Sequence, residues 1–163
     1  MRKKTDGRQA VVAWGRWLLD QRAHIHYGEV RPIPYHKPIT HAFPITIDCS
    51  GFVSLCYYLA GVTKDPNGQN YDGQGYTGTL LAHGTPIKPA AAKPGDVVVW
   101  GPGTGWHTAL VITAGPDPLV ISHGQEGDPS VHHVSADTRT PVRFLRFDTS
   151  SFGVTPPPPT PAN

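Results

Sequence analysis

The stretch from Asp48 to Gly61 constrains this chain more than any other. Phe52, Val53, Cys56, Leu59 and Ala60 recur at the spacing of one helix face. Gly61 is a natural helix stop. Ile45-Thr46-Ile47, just upstream, is short and β-like. Cys49 therefore falls in the first turn of a buried helix. Unpaired backbone N–H groups and the positive end of the helix dipole favour an anion there. A thiolate is an anion, so the position is expected to lower the Cys49 pKa. Cys56, two turns on and inside the apolar stripe, reads as core packing. The Cys49 thiol gains a chemical role only if the rest of the chain supplies a base.

The 163 residues suit one domain with one sizeable core. A net charge of +2, with no dense basic run beyond Arg2-Lys3-Lys4, gives no basis for a nucleic-acid partner. Two cysteines make no disulfide framework. Placed two turns apart on one helix, their Cα atoms are about 10 Å apart, too far to bridge. No apolar run follows the basic N-terminal residues, so neither a secretory signal nor a membrane-inserting span is visible. Synthesis in the cytoplasm is expected, with any action outside it depending on release by other means.

Residues 1–6 are expected to be disordered, and residues 7–150 to form the domain. Gly7 to Arg22 has a helical pattern, with Val11, Trp14 and Leu18 on one stripe. Ala23 to Pro44 looks irregular, with four prolines and four histidines. The histidines lack the spacing of a metal site, so none is assigned. Asp65 to Gly78 reads as a surface loop offering Tyr71 and Tyr76 as contacts, and Thr77 starts a short helix. Lys93-Pro94-Gly95-Asp96 is a turn. Strands are expected over Val97–Trp100, His107–Ile112, Leu119–His123, Ser130–Val134 and Val142–Phe147. Helices first and strands later indicate an α+β domain, N-terminal helices packed on an antiparallel sheet. Residues 151–163 read as a Pro-rich tail or linker, stiff from Thr155 onward and packing against nothing.

A thiol becomes an acyl-transfer nucleophile when a base takes its proton and a third group fixes the base. His107 heads one strand and His123 ends the next. If those strands pair, both rings lie at one end of the sheet. His107 could then accept the Cys49 proton while His123 orients His107. An N–H at the helix start could hold the oxyanion.

Three motifs carry a resemblance. Ile47-Asp48-Cys49-Ser50-Gly51-Phe52-Val53, then Lys93-Pro94-Gly95-Asp96-Val97-Val98-Val99-Trp100, then His107-Thr108-Ala109-Leu110-Val111-Ile112 resemble, in that order, the NlpC/p60 family of papain-like cysteine peptidases. The related CHAP family shares the architecture. Gly75-Tyr76-Thr77-Gly78 and Ser122-His123-Gly124-Gln125 resemble lysins of phages of actinobacteria. The resemblance implies cysteine-peptidase hydrolysis of an amide bond in the peptidoglycan stem peptide, without a cofactor. It implies Cys49 as nucleophile and His107 as base, with His123, Gln125 or Glu126 as third residue. It also implies substrate contacts from Asp48, Ser50, Tyr27 and Trp106, with Asp48 and Ser50 at positions that meet amine groups in some members. The tail resembles linkers joining lysin modules. Readings that keep the fold and change the role are a papain-like amidase or acyl transferase, and a catalytically silent wall-binding or virion module.

Overall fold

The computed structural model describes residues 3–124 and 129–159. The helices are α1 (Arg8–Asp20), α2 (Cys49–Ala60) and α3 (Thr77–His83). Two short strands, β2 (Ile25–Tyr27) and β3 (Ile45–Ile47), pair in parallel beside the start of α2. The main sheet is built from β4 (Thr85–Ile87), β5 (Val97–Trp100), β6 (His107–Val111), β7 (Leu119–Ser122), β8 (Ser130–His133) and β9 (Val142–Arg146). Its order is β4-β9-β5-β6-β7-β8, antiparallel throughout. This is the expected α+β arrangement.

Alternation along each strand divides the sheet into two faces. Val97, Val99, Leu110, Ile121 and Leu145 meet α1 and α2 through Leu18, Phe52, Leu55 and Leu59. Val98, Trp100, Ala109, Val111, Val120 and Phe144 form a second apolar layer on the opposite face. Burial on both faces explains why Val97–Trp100 is apolar without alternating. Each fully buried Leu or Phe here contributes about 1.5–3 kcal/mol. A Cβ at Gly15 would stand 2.7 Å from Leu110 Cδ2, so glycine lets α1 approach the sheet.

The Pro94-Gly95-Asp96 turn is locked from three directions. Gly95 takes a positive φ of 95°, and its carbonyl accepts the Tyr57 hydroxyl of α2 at 2.5 Å. The Asp96 carboxylate accepts from Arg8 of α1 (2.9 Å), from Arg146 of β9 (2.8 and 3.0 Å) and from the Lys93 N–H (2.7 Å). This turn sets where β5 begins, and with it the register of β6.

The ends of the domain differ from the expectation. Within the start expected to be disordered, β1 (Thr5–Asp6) pairs antiparallel with β10 (Ser150–Ser151). The segment expected to pack against nothing is also tied down at its first residue. The Thr155 carbonyl accepts the Trp14 indole N–H at 2.7 Å, and the Thr155 N–H donates to Ala60 at 3.0 Å. Such two-residue strands and single anchoring bonds leave no periodic trace in a sequence.

Candidate active site

Asp48 caps α2. Its Oδ1 accepts the Gly51 N–H at 2.8 Å and the Ser50 hydroxyl at 3.2 Å. Gly51 suits the first turn because a Cβ there would crowd Asp48 Oδ1 at 3.0 Å and Ile47 Cβ at 3.2 Å. Sequence reasoning missed Arg31, which organises this corner. Its Nη2 donates to Asp48 Oδ2 (3.0 Å) and to Ser50 Oγ (3.1 Å), its Nε to the Gly75 carbonyl (2.9 Å) and its Nη1 to the Val30 carbonyl (2.9 Å). One guanidinium thus joins the helix start to two loops. A lone arginine in a Pro-rich loop carries no spacing signal that could have revealed it.

Cys49 opens on a cleft of about 380 Å³. Asp48, Ser50, Tyr27 and Trp106, the expected substrate contacts, all line it, joined by Glu29, Arg31 and Tyr76. Trp106 is 60 % exposed and Tyr76 48 % exposed, so the cleft has two aromatic rims. Gly105 holds Trp106 in place. It has φ +84°, and any Cβ there would meet Val99 Cγ1 at 2.6 Å. Gly75 positions Tyr76 in a similar way, because a Cβ would run into the buried Asn67 at 2.0 Å. Asn67 in turn donates to Ser54 Oγ on α2 (2.8 Å) and accepts from Thr79 Oγ1 on α3 (2.8 Å).

The Cys49 thiol does not behave as its helix position alone predicts. Burial pushes its pKa up to about 11, and the negative charge of Asp48 adds to the rise. The N–H groups of Thr108, Ser50 and Cys49 itself act in the opposite direction and are outweighed. The resting side chain is a thiol, and a base must remove its proton as substrate binds. Iodoacetamide alkylation of Cys49 is accordingly expected to be slow at neutral pH. Its rate should rise about tenfold per pH unit toward pH 11, because only the thiolate reacts. A rate already level below pH 8 would contradict this.

β6 and β7 pair as expected, and their register places the two histidines. Leu110 faces Ile121 across the ladder, and both lie on the helix side of the sheet. Thr108, two residues before Leu110, shares that side, and its N–H is the one directed at Cys49. His107 lies one residue away, on the opposite face. Its ring stacks on Trp100 (centroids 5.4 Å, planes at 26°) and lines a cavity of about 350 Å³ with His132, Asp137 and Arg139. His123 is fully buried on the helix side, edge-on to Tyr27 (5.3 Å) and 6.3 Å from Phe52. Its Nε2 lies 3.0 Å from the His26 carbonyl. A carbonyl only accepts, so Nε2 carries a proton. Among the described residues, neither histidine lines the Cys49 cleft. Gln125 and Glu126 lie outside the described residues.

No family model matches the chain, and no curated protein matches it. Solved structures do. The NlpC/p60 domain of the peptidoglycan hydrolase SagA is 23 % identical, covering 86 % of this chain and 98 % of its own, with a TM-score of 0.55. The fold is that of an NlpC/p60 domain. The p60 domain of antigen MAP1204 from M. avium subspecies paratuberculosis has the same architecture at 19 % identity, covering 88 % of this chain and 97 % of its own, with a TM-score of 0.50. The peptidoglycan hydrolase RipB of Mycobacterium tuberculosis is 28 % identical over 61 % of this chain, with a TM-score of 0.45, and this chain spans 44 % of that one. In this chain α2 lies against β6, the strand that His107 heads.

Proposed function

We propose that this chain hydrolyses an amide bond in the stem peptide of peptidoglycan, with Cys49 as nucleophile. One observation carries the reading. The Cys49 thiol sits at the N-terminus of α2 on the floor of a cleft, with the N–H of Thr108, next to His107, directed at its sulfur. The Cys49 proton passes to an imidazole as sulfur bonds to the substrate carbonyl carbon. The resulting oxyanion is held by N–H groups of the first turn of α2. The C–N bond then breaks, the amine leaves with the proton, and water hydrolyses the thioester. SagA is a peptidoglycan hydrolase, which is consistent with this substrate. The loop and strand-end motifs at Gly75–Gly78 and Ser122–Gln125 favour a phage endolysin as its setting.

The sequence motifs assign His107 as the base and His123 as the positioning residue, which requires the His107 ring to leave the sheet face opposite Cys49 where it stacks on Trp100. A second assignment, with His123 as base, is favoured by one observation: its ring shares the helix side of the sheet with Cys49. The two single alanine variants separate these assignments, because loss of the base removes the acid limb of the pH–rate profile, where activity rises as the base loses its proton.

Mass spectrometry of digested actinobacterial peptidoglycan tests the reaction. Paired new amino and carboxyl ends within the stem are expected. A lactyl group freed from its peptide would identify an amidase instead. Binding to walls with no product would leave only a binding module.

A further inference from the structure

We propose that Arg31 makes the Cys49 cleft select stem peptides whose amino terminus is acylated and reject those ending in a free ammonium. The inference rests on the hydrolase reading above. A substrate ammonium needs a carboxylate whose charge is not already compensated. Among the described residues, two acids line the cleft, Asp48 and Glu29. Asp48, the one beside Cys49, is already engaged. Gly51 and Ser50 donate to its Oδ1, and Arg31 donates to its Oδ2. Removing Arg31 from that seat would also break its bonds to Ser50, Gly75 and Val30. Glu29 is exposed, where solvent screens a single ion pair.

The donors of Arg31 favour the same discrimination. Of its five N–H groups, Nε uses one, Nη1 one and Nη2 two, so one N–H on Nη1 remains for an acceptor. An acylated terminus offers a carbonyl oxygen. An ammonium offers three donors and no acceptor, and it meets a like charge. Arg31 therefore favours the stem as it stands in the wall, attached through its amino end, over a peptide already cut free.

The test compares one synthetic stem peptide in free-amine and N-acetylated forms. Wild type is expected to favour the acetylated form by about tenfold or more in kcat/KM, with most of the difference in KM. Arg31→Met should bring the ratio close to one by restoring turnover of the free amine. Arg31→Lys keeps the charge and should keep much of the preference, which controls for loosening of the loops. Wild-type preference for the free amine would overturn the role of Arg31, as would an unchanged ratio in an active Arg31→Met variant. No turnover of either peptide or of whole peptidoglycan would instead remove the hydrolase reading, and this inference with it.

Discussion

Cys49→Ala is expected to leave the domain folded and to reduce release of soluble muropeptides from purified peptidoglycan by a factor on the order of 10⁴ or more. The size follows from the mechanism, since without sulfur there is no thioester and the N–H groups at the start of α2 can only polarise a carbonyl. The fold should survive because the cap of α2 belongs to Asp48, not to Cys49. Thermal unfolding within a few degrees of wild type would check that. Cys56→Ala is the matching control. Cys56 is fully buried behind Gly15, with its sulfur 3.7 Å from where a Cβ at that glycine would stand. Its replacement should cost about 1 kcal/mol of stability and leave lysis intact. Lysis that persists in Cys49→Ala and fails in Cys56→Ala would reverse the two assignments.

Asp96→Ala, in the turn that leads into the sheet, is expected to be strongly destabilising, at about 3 kcal/mol, or roughly 6–12 °C in Tm. The carboxylate is 1 % exposed and is shared by two guanidinium groups and the Lys93 N–H. Removing it strands all three. Arg8 and Arg146 are 21 % and 31 % exposed, so part of their charge can turn to water, which keeps the cost at the lower end for a broken buried ion pair. The pH dependence has a definite sign. Burial alone would raise the Asp96 pKa, but the bonds from Arg146, Arg8 and Lys93 outweigh it and hold it below its usual value. A depressed carboxylate pKa stabilises the fold above the unfolded value of about 3.9 and loses that contribution as pH falls into the acid range. Denaturant unfolding of Asp96→Asn should therefore show a flatter acid limb than wild type. Parallel acid limbs would show that Asp96 does not contribute it.

The helices, the five longer strands and the position of Cys49 were legible because each leaves a local pattern. Phe52, Val53, Cys56 and Leu59 mark a helix face, and Val97–Trp100 is apolar throughout because both faces of β5 are covered. The strand β4, with Pro86 on an edge, and the end strands β1 and β10 were not legible, since two or three residues cannot show a period. Parity within β6 could be read, but not which face meets α2. That depends on the pairing of Leu110 with Ile121, set by the turn between the strands. The expected substrate contacts Asp48, Ser50, Tyr27 and Trp106 do converge on one cleft. Arg31 stayed hidden because its partners lie 17 and 44 residues away. The expected low pKa of Cys49 failed for a related reason. The helix terminus is visible in the sequence, while the burial that outweighs it is a property of the packed chain.

The pairing of β1 with β10 joins the two ends of the domain, residue 5 with residue 151. The Gly7 N–H donates to the Thr149 carbonyl at 2.7 Å beside it, and the Thr149 hydroxyl to Asp6 at 2.6 Å. A contact of such long sequence separation closes a loop of nearly the whole chain and forms only after the sheet has assembled. Interactions absent from the folding transition state do little for the speed of folding and chiefly slow escape from the native state. These short end strands are expected to act as a kinetic latch, slowing unfolding more than they speed folding.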